Sequence, residues 1–334
     1  MFKDQSNQLR ILPPTEGTLE KAARLLFEGE LVAIPTETVY GLAADATNDA
    51  AVAKIYSLKK RPQFNPLIIH FAEVEQIKPH VEWNEMAEKL AHTFWPGPLT
   101  LVLKKKSSSS LSLLATAGLE TVGVRIPHHE VTSLLIQRAG KPLAAPSANP
   151  SEAISPTSAE DVRKGFDPET PLLIIEGGIC QGGIESTIVD LTLETPTLLR
   201  PGLVLPEKIE AILHRPVQFL ATVSSIKAPG QMKRHYAPDI PLRLNVTAVL
   251  PEEALLAFGP FPLRGAAKTL NLSRSGDLAE AAANLFAMMR ELDTPLFSSI
   301  AVMPIPSYGI GLAINDRLGR AAIQKEETCS LASR

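Results

Sequence analysis

The sequence predicts an α/β protein of two domains, a mixed β-sheet domain with helices followed by a smaller α/β domain. Three observations carry this. The 334 residues exceed the usual size of one domain, and 45% are hydrophobic, enough for a core in each of two. Helical and extended apolar patterns alternate along the first 215 residues. Over residues 221–241 the periodicity lapses into Ser, Gly and Pro, and beyond it the alternation resumes. We therefore expect a first domain over 1–220, a connector over 221–241 and a second domain over 242–334.

Residues 19–30 place apolar side chains at helical spacing and carry Gly29 near their end, which predicts a helix leading into a strand over 31–35. The same reading gives helices over 51–58, 85–94 and 131–139, and strands over 66–71, 99–103 and 121–126. Further strands are expected over 142–145, 172–175, 187–191 and 197–199, then a helix over 206–213. In the second domain, strands over 255–258, 269–272 and 299–303 accompany helices over 278–292 and 314–322. The connector holds Lys233, Arg234, His235 and Tyr236, a cationic and aromatic set suited to touching an anion or a base.

Composition narrows the classes. A formal charge of -3 gives no global positive field for nonspecific nucleic-acid binding, so a cationic site must be local. Cys180 and Cys329 are the only cysteines, too few for a disulfide framework and without zinc-site spacing, which fits a reducing compartment. The first ten residues are polar, and no stretch approaches the roughly 18 apolar residues of a membrane span, so a cytoplasmic location is expected.

The chemistry gathers in a few runs. Thr36 and Thr38 stand two apart at the end of an extended run, so a continuing strand would turn both, and Tyr40, to one face. Lys59, Lys60 and Arg61 end a helix stopped by Pro62. The helix dipole accounts for cations there, yet a Lys and an Arg one residue apart also suit a polyphosphate, the guanidinium as a fork and the ammonium as a point charge. No Walker loop is present, so side chains would have to hold any nucleotide. Arg125 lies in an otherwise apolar strand and needs an anionic partner, which a structural carboxylate or a substrate carboxylate supplies equally well. Thr121 shares its face by strand periodicity. Small residues over 146–150 let a ligand approach the backbone, Ser158 is placed to cap a helix, and Arg200 adds a cation. There is no GxSxG elbow, no metalloprotease His pair and no cysteine in a basic setting; Gly309 and Gly311 lack the rest of a dinucleotide loop.

Taken in order, the runs PTETVYG (35–41), KKRPQFNPLIIH (59–70), TVGVRIP (121–127), APSANPS (145–151), ESTIVDL (185–191) and LLRPG (198–202) resemble the threonylcarbamoyl-AMP synthase family. HYAP (235–238) is similar to that family's interdomain linker, and residues 271–286 and 311–318 resemble its extra C-terminal domain. The resemblance covers almost the whole chain. It implies a YrdC-like first domain built on a twisted mixed sheet and a Rossmann-like second one.

The resemblance further implies an enzyme that forms L-threonylcarbamoyl-AMP and pyrophosphate from L-threonine, bicarbonate and ATP. The product would serve N6-threonylcarbamoylation of adenosine 37 in tRNAs reading ANN codons, through a downstream tRNA threonylcarbamoyl transferase complex. By motif position, Thr38, His70, Arg125, Ser186 and the backbone of Ala145 would hold threonine. Lys59, Arg61, Asn65, Thr121, Ser147, Ser155, Arg200 and Tyr236 would hold ATP, with Lys59 and Arg61 the catalytic cations. Lys60 stands where the family has a small residue. Mg2+ would arrive with ATP, and no metal site of the protein's own is expected. Two other readings stay open: a noncatalytic RNA-binding protein, and the carbamoyl-transfer domain of a hydrogenase-maturation enzyme. The latter would carry acylphosphatase and zinc-finger segments, which this sequence lacks.

Overall fold

Apolar residues at helical spacing and a polar cap before them set the first helix. Thr15 accepts from the Thr18 amide, and Leu19, Ala22 and Leu26 turn inward. The computed structural model describes residues 9–219 and 234–323. Of the expected connector, residues 221–233, with Lys233, lie outside the described residues, as does Cys329.

In chain order the first part comprises β1 (Arg10–Leu12), α1 (Glu16–Phe27), β2 (Val32–Ile34), β3 (Gly41–Asp45), α2 (Asp49–Lys59), β4 (Ile68–His70), α3 (Val74–Ile77) and α4 (Glu85–Phe94). It continues through β5 (Leu99–Lys104), β6 (Thr121–Arg125), α5 (Glu130–Ala139), β7 (Leu143–Ala144), α6 (Ala159–Gly165) and β8 (Leu173–Ile175). It closes with β9 (Thr187–Asp190), β10 (Thr197–Arg200), α7 (Pro206–Leu213) and β11 (Gln218–Phe219). The strands form one mixed sheet in the order β1-β8-β2-β3-β7-β4-β6-β5-β9-β10-β11. The second part holds β12 (Leu242–Arg243), β13 (Ala254–Ala257), β14 (Lys268–Asn271), α8 (Leu278–Leu292), β15 (Ile300–Val302) and α9 (Gly311–Ala321). Its sheet, β12-β15-β13-β14, is parallel throughout.

One expectation is corrected here. The run from Val32 does not continue through Thr36, Thr38 and Tyr40. β2 ends at Ile34 and returns as antiparallel β3, with Val32 opposite Ala43 and Ile34 opposite Gly41. Thr36 makes the turn: its Oγ1 donates to the Val39 carbonyl at 2.6 Å and accepts from the Thr38 and Val39 amides at 3.1 and 3.2 Å. A hydroxyl that binds nearby backbone in this way competes with a strand ladder. The sequence reading also omits β3, whose five residues are all buried and show no alternation, and α6, although Ser158 does cap it in a reciprocal capping box with Asp161.

The largest core lies within the first part and includes Leu42, Ile55, Ile69, Leu101 and Val124. The core of the second part, built on Leu256, Leu285, Phe286 and Ile314, is not confined to it. Val39, Ile154, Ile184 and Tyr236 are members of the same cluster. Loops of the first sheet are thus packed into the hydrophobic interior of the second domain.

Candidate active site

A cavity opens where these loops meet. The 35–40 turn, the loop after α2, the ends of β4, β6 and β10, residues 145–147, the approach to β9 and the segment around His235 supply its walls. Of the residues singled out from the sequence, Thr36, Thr38, Arg61, His70, Arg125, Ala145, Ser147, Ser186, Arg200, His235 and Tyr236 line it.

One end is built around Arg125, which β4–β6 pairing sets beside His70. The buried guanidinium donates from Nε to the Gly97 carbonyl at 3.2 Å and from Nη2 to Thr38 Oγ1 at 3.0 Å. The same Nη2 lies 2.7 Å from Glu37 Oε1. A structural carboxylate therefore already meets Arg125, which the sequence left open. His70 is buried and its Nδ1 has no hydrogen-bond partner among the described residues. Burial, then the Arg125 charge, holds its pKa down at about 3, so the ring is neutral near pH 7. Ser186 Oγ lies 2.8 Å from Thr100 Oγ1 and accepts from Arg200 Nη2 at 3.2 Å. The Ala145 amide donates to the Ile68 carbonyl at 3.1 Å.

The other end is cationic. Arg61 donates to the carbonyls of Asn65 and Pro66 at 3.2 and 3.0 Å, and burial pushes its pKa down to about 10. Lys59 stands behind the wall, fully buried, its ammonium donating to the Ser147 carbonyl at 2.5 Å and to the Asn149 carbonyl. Burial, reinforced by Arg61, holds its pKa well below the usual lysine range. Lys60 turns left-handed at the helix end, with φ of 53°, which separates it from Lys59.

Asn65 and Ser155 also stand behind the wall. The Asn65 amide group is buried without a hydrogen-bond partner among the described residues, and Ser155 Oγ donates to Glu185 Oε1 at 2.5 Å. Thr121 is not brought to the cavity. It begins β6 opposite Lys104, four residues from Arg125 and roughly 13 Å along the strand.

Tyr236 closes the site. It adopts a left-handed φ of 60°, is fully buried, and stacks on Phe286 with ring centroids 5.4 Å apart. Burial pushes its phenol up to about 12, and the hydroxyl has no hydrogen-bond partner among the described residues. His235 lies against it, ring centroids 3.9 Å apart, and burial holds its pKa down at about 3. No group of three or more metal-ligating side chains occurs among the described residues, and burial pushes the Cys180 thiol up to about 12, far from a thiolate nucleophile. The arrangement suits two anions held side by side, with chemistry by positioning and charge rather than by covalent attack.

A family profile described as "Telomere recombination" matches residues 24–202, and one described as "Threonylcarbamoyl-AMP synthase, C-terminal domain" matches residues 204–323. The chain belongs to the threonylcarbamoyl-AMP synthase family. A threonylcarbamoyl-AMP synthase of Pyrococcus abyssi is 40% identical over 92% of this chain and 94% of its own length. One from Bacillus subtilis is 38% identical over 96% of each. The crystal structure of P. abyssi Sua5 complexed with L-threonine superposes with a TM-score of 0.86 at 37% identity, over 94% of this chain and 97% of that one.

Beside the residues assigned from family motifs, this threonylcarbamoyl-AMP synthase family member has cavity-wall residues that those assignments omit: Thr36, Glu185 and His235. Thr36 and His235 are singled out by the sequence without a ligand of their own; Glu185 is not, and its place inside a recognised run next to Ser186 is the signal that could have found it. Glu37 and Arg317, which act from behind the wall, were also missed. Arg317 of α9 is fully buried and pairs with Glu185 across 132 positions of sequence, which no local pattern reveals.

Proposed function

We propose that this enzyme of the threonylcarbamoyl-AMP synthase family joins L-threonine, bicarbonate and ATP to give L-threonylcarbamoyl-AMP, pyrophosphate and water, for threonylcarbamoylation of tRNA adenosine 37. The observation that carries the reading is the cavity itself: Arg125, Thr38 and neutral His70 at one end, Arg61, Arg200 and Ser147 at the other. Threonine places its carboxylate on Arg125 in exchange for part of that guanidinium's internal pairing. The unpartnered His70 Nδ1 accepts from the substrate hydroxyl. The amine, carboxylated by bicarbonate, presents a carbamate oxygen that attacks the α-phosphorus as pyrophosphate leaves. Lys59, Arg61 and Arg200 balance the charge that spreads over the phosphoryl oxygens. Asn65, Ser147, Ser155 and Tyr236 complete the nucleotide side, and Ser186 and the Ala145 carbonyl complete the threonine side. Thr121, at the start of β6, is placed on the nucleotide side as well, with the outer part of the nucleotide extending along β6 to meet it.

Mg2+ comes with the ATP phosphates, since the described residues offer no acidic cluster to retain it. We place the catalytic domain at 1–220, the linker at 221–241 and the smaller domain at 242–334. The stretch of linker at His235 and Tyr236 acts as a lid that keeps water from the carbamate and the mixed anhydride. No described helix is long and apolar enough to cross a membrane, in keeping with a cytoplasmic enzyme that hands its product to a tRNA-modifying transferase complex.

The test is pyrophosphate release with each of threonine, bicarbonate and ATP omitted in turn, with mass detection of the adenylate. Dependence on all three and the threonylcarbamoyl-AMP mass are expected, and turnover without threonine would defeat the reading. For the lid, Tyr236→Phe with His235→Ala is expected to lower adenylate yield relative to pyrophosphate released.

A further inference from the structure

Glu185 is an anomaly in a pocket for anions. It lines the cavity with Arg61 and Arg200 and is buried, so an unopposed carboxylate there would pair with those cations and compete with phosphate for them. The structure shows what prevents this. Arg317 of α9, with no exposed surface, reaches across from the second domain and donates from Nε to Glu185 Oε2 at 3.0 Å. It also reaches the Glu185 carbonyl from Nη2 at 3.4 Å, and from Nη1 the Pro201 carbonyl at 2.7 Å and Asp316 Oδ2 at 3.0 Å, a carboxylate it shares with Arg320. Ser155 takes the other carboxylate oxygen. The same guanidinium lies 5.5 Å from the centroid of the Tyr236 ring.

Burial alone would push the Glu185 carboxyl up, but Arg317 and Arg200 outweigh it and bring the group down to about 2. The charge is therefore permanent near pH 7 and has to be balanced. The neighbouring contacts run the same way: Arg290 of α8 donates to the Ile154 and Ser155 carbonyls at 3.0 Å each, and Gly183 sits directly against the α8 backbone. Both loops that carry Ser155, Glu185 and Ser186 are thus held from the second domain.

We propose that Arg317 is a positioning residue for the ATP subsite: it binds Glu185 and cancels its charge, leaving Arg61 and Arg200 free for phosphate. This rests on the reading of the cavity as an ATP and threonine site. The second domain is then part of the active site, contributing the counter-charge bonded directly to Glu185.

The test compares full-length wild type, Arg317→Met, Arg317→Lys and the double variant Arg317→Met with Glu185→Gln in the three-substrate assay. Wild-type turnover is the control for the underlying reading, so its failure is separable from failure of this inference. Arg317→Met is expected to raise KM for ATP by about tenfold or more while KM for threonine moves less than about threefold, the sign of lost selective binding. Arg317→Lys, which keeps a charge without the guanidinium fork, is expected to fall between. The double variant removes both charges of the Arg317–Glu185 pair, while Asp316 keeps Arg320 as its partner, and it is expected to return KM for ATP to within about threefold of wild type, a coupling that mere mechanical support would not give. If Arg317→Met does not fold, the double variant is read directly against wild type by the same criterion. An ATP KM within twofold of wild type in Arg317→Met, or a double variant as impaired as the single one, would overturn the proposal.

Discussion

Arg125 meets the Glu37 carboxylate at 2.7 Å through the same Nη2 that donates to Thr38 Oγ1, so two residues of one turn hold the guanidinium from one side. Glu37 orients the guanidinium to which we assign the threonine carboxylate, and Thr36 in turn fixes that turn by binding the Thr38 and Val39 amides.

Removing Arg125 therefore has two effects. Arg125→Ala leaves the largely buried Glu37 without its counter-ion and is expected to lower folding stability by about 3–5 kcal/mol, measured by denaturant unfolding. Calorimetric threonine binding is expected to be lost with it. Arg125→Lys keeps the charge but not the planar fork. It should recover most of the stability while threonine binding remains weakened by about tenfold or more.

His70 gives a pH signature. Its folded pKa, about 3, lies below the ordinary 6.5, so the unfolded chain binds the proton more readily. The group has no effect on stability above pH 6.5, and stability is lost progressively as pH falls from there toward 3. Between pH 7 and pH 5 the loss is expected to be about 2 kcal/mol from this residue. Unfolding curves of His70→Gln should have a correspondingly shallower pH dependence, and an unchanged slope would count against the neutral buried ring.

Gly183 has a φ of +67°, and a Cβ on it would lie 2.3 Å from the Ala282 carbonyl oxygen and 2.5 Å from Ala283 Cα in α8. Gly183→Ala is expected to cost about 1–2 kcal/mol from backbone conformation alone. It should also push the loop off the helix. We expect a lower melting temperature and a fall in kcat/KM together, because Glu185 and Ser186 ride on the displaced segment.

Lys59 holds its proton less tightly than an ordinary lysine. Its pKa in the free protein is held well below the usual range by burial and Arg61, and a polyphosphate brought near would raise it. At alkaline pH, where the lowered pKa lets part of the Lys59 population lose its proton, ATP binding is expected to take up protons, seen as a calorimetric enthalpy that varies with the ionisation enthalpy of the buffer. The dependence should shrink in Lys59→Met.

Much of the scaffold was legible. The helices over 85–94, 206–213 and 278–292 occur over the residues expected, since each has a clear periodic face and a marked start: Asn84 and Asp277 as caps, Pro206 in the first turn. β3 was not, because Gly41–Asp45 is buried on both faces and too rich in alanine to read as a strand. The cations and hydroxyls of the site announced themselves by clustering in short runs. Their exact relations did not: Thr36 and Thr38 meet through a turn rather than strand alternation, and Thr121 shares a strand with Arg125 without reaching its cavity. Arg317 shows the limit most plainly, since its partner lies 132 residues away and only the packing of α9 brings them together.

The sharing of one hydrophobic cluster by Val39, Ile154, Ile184 and Tyr236 with Leu285 and Phe286 binds the fates of the two sheets. Neither can open around these loops without exposing apolar surface of the other, so unfolding is expected as a single cooperative transition. Nucleotide held in the first domain would then slow amide exchange in α8 by raising the free energy of the opening they share.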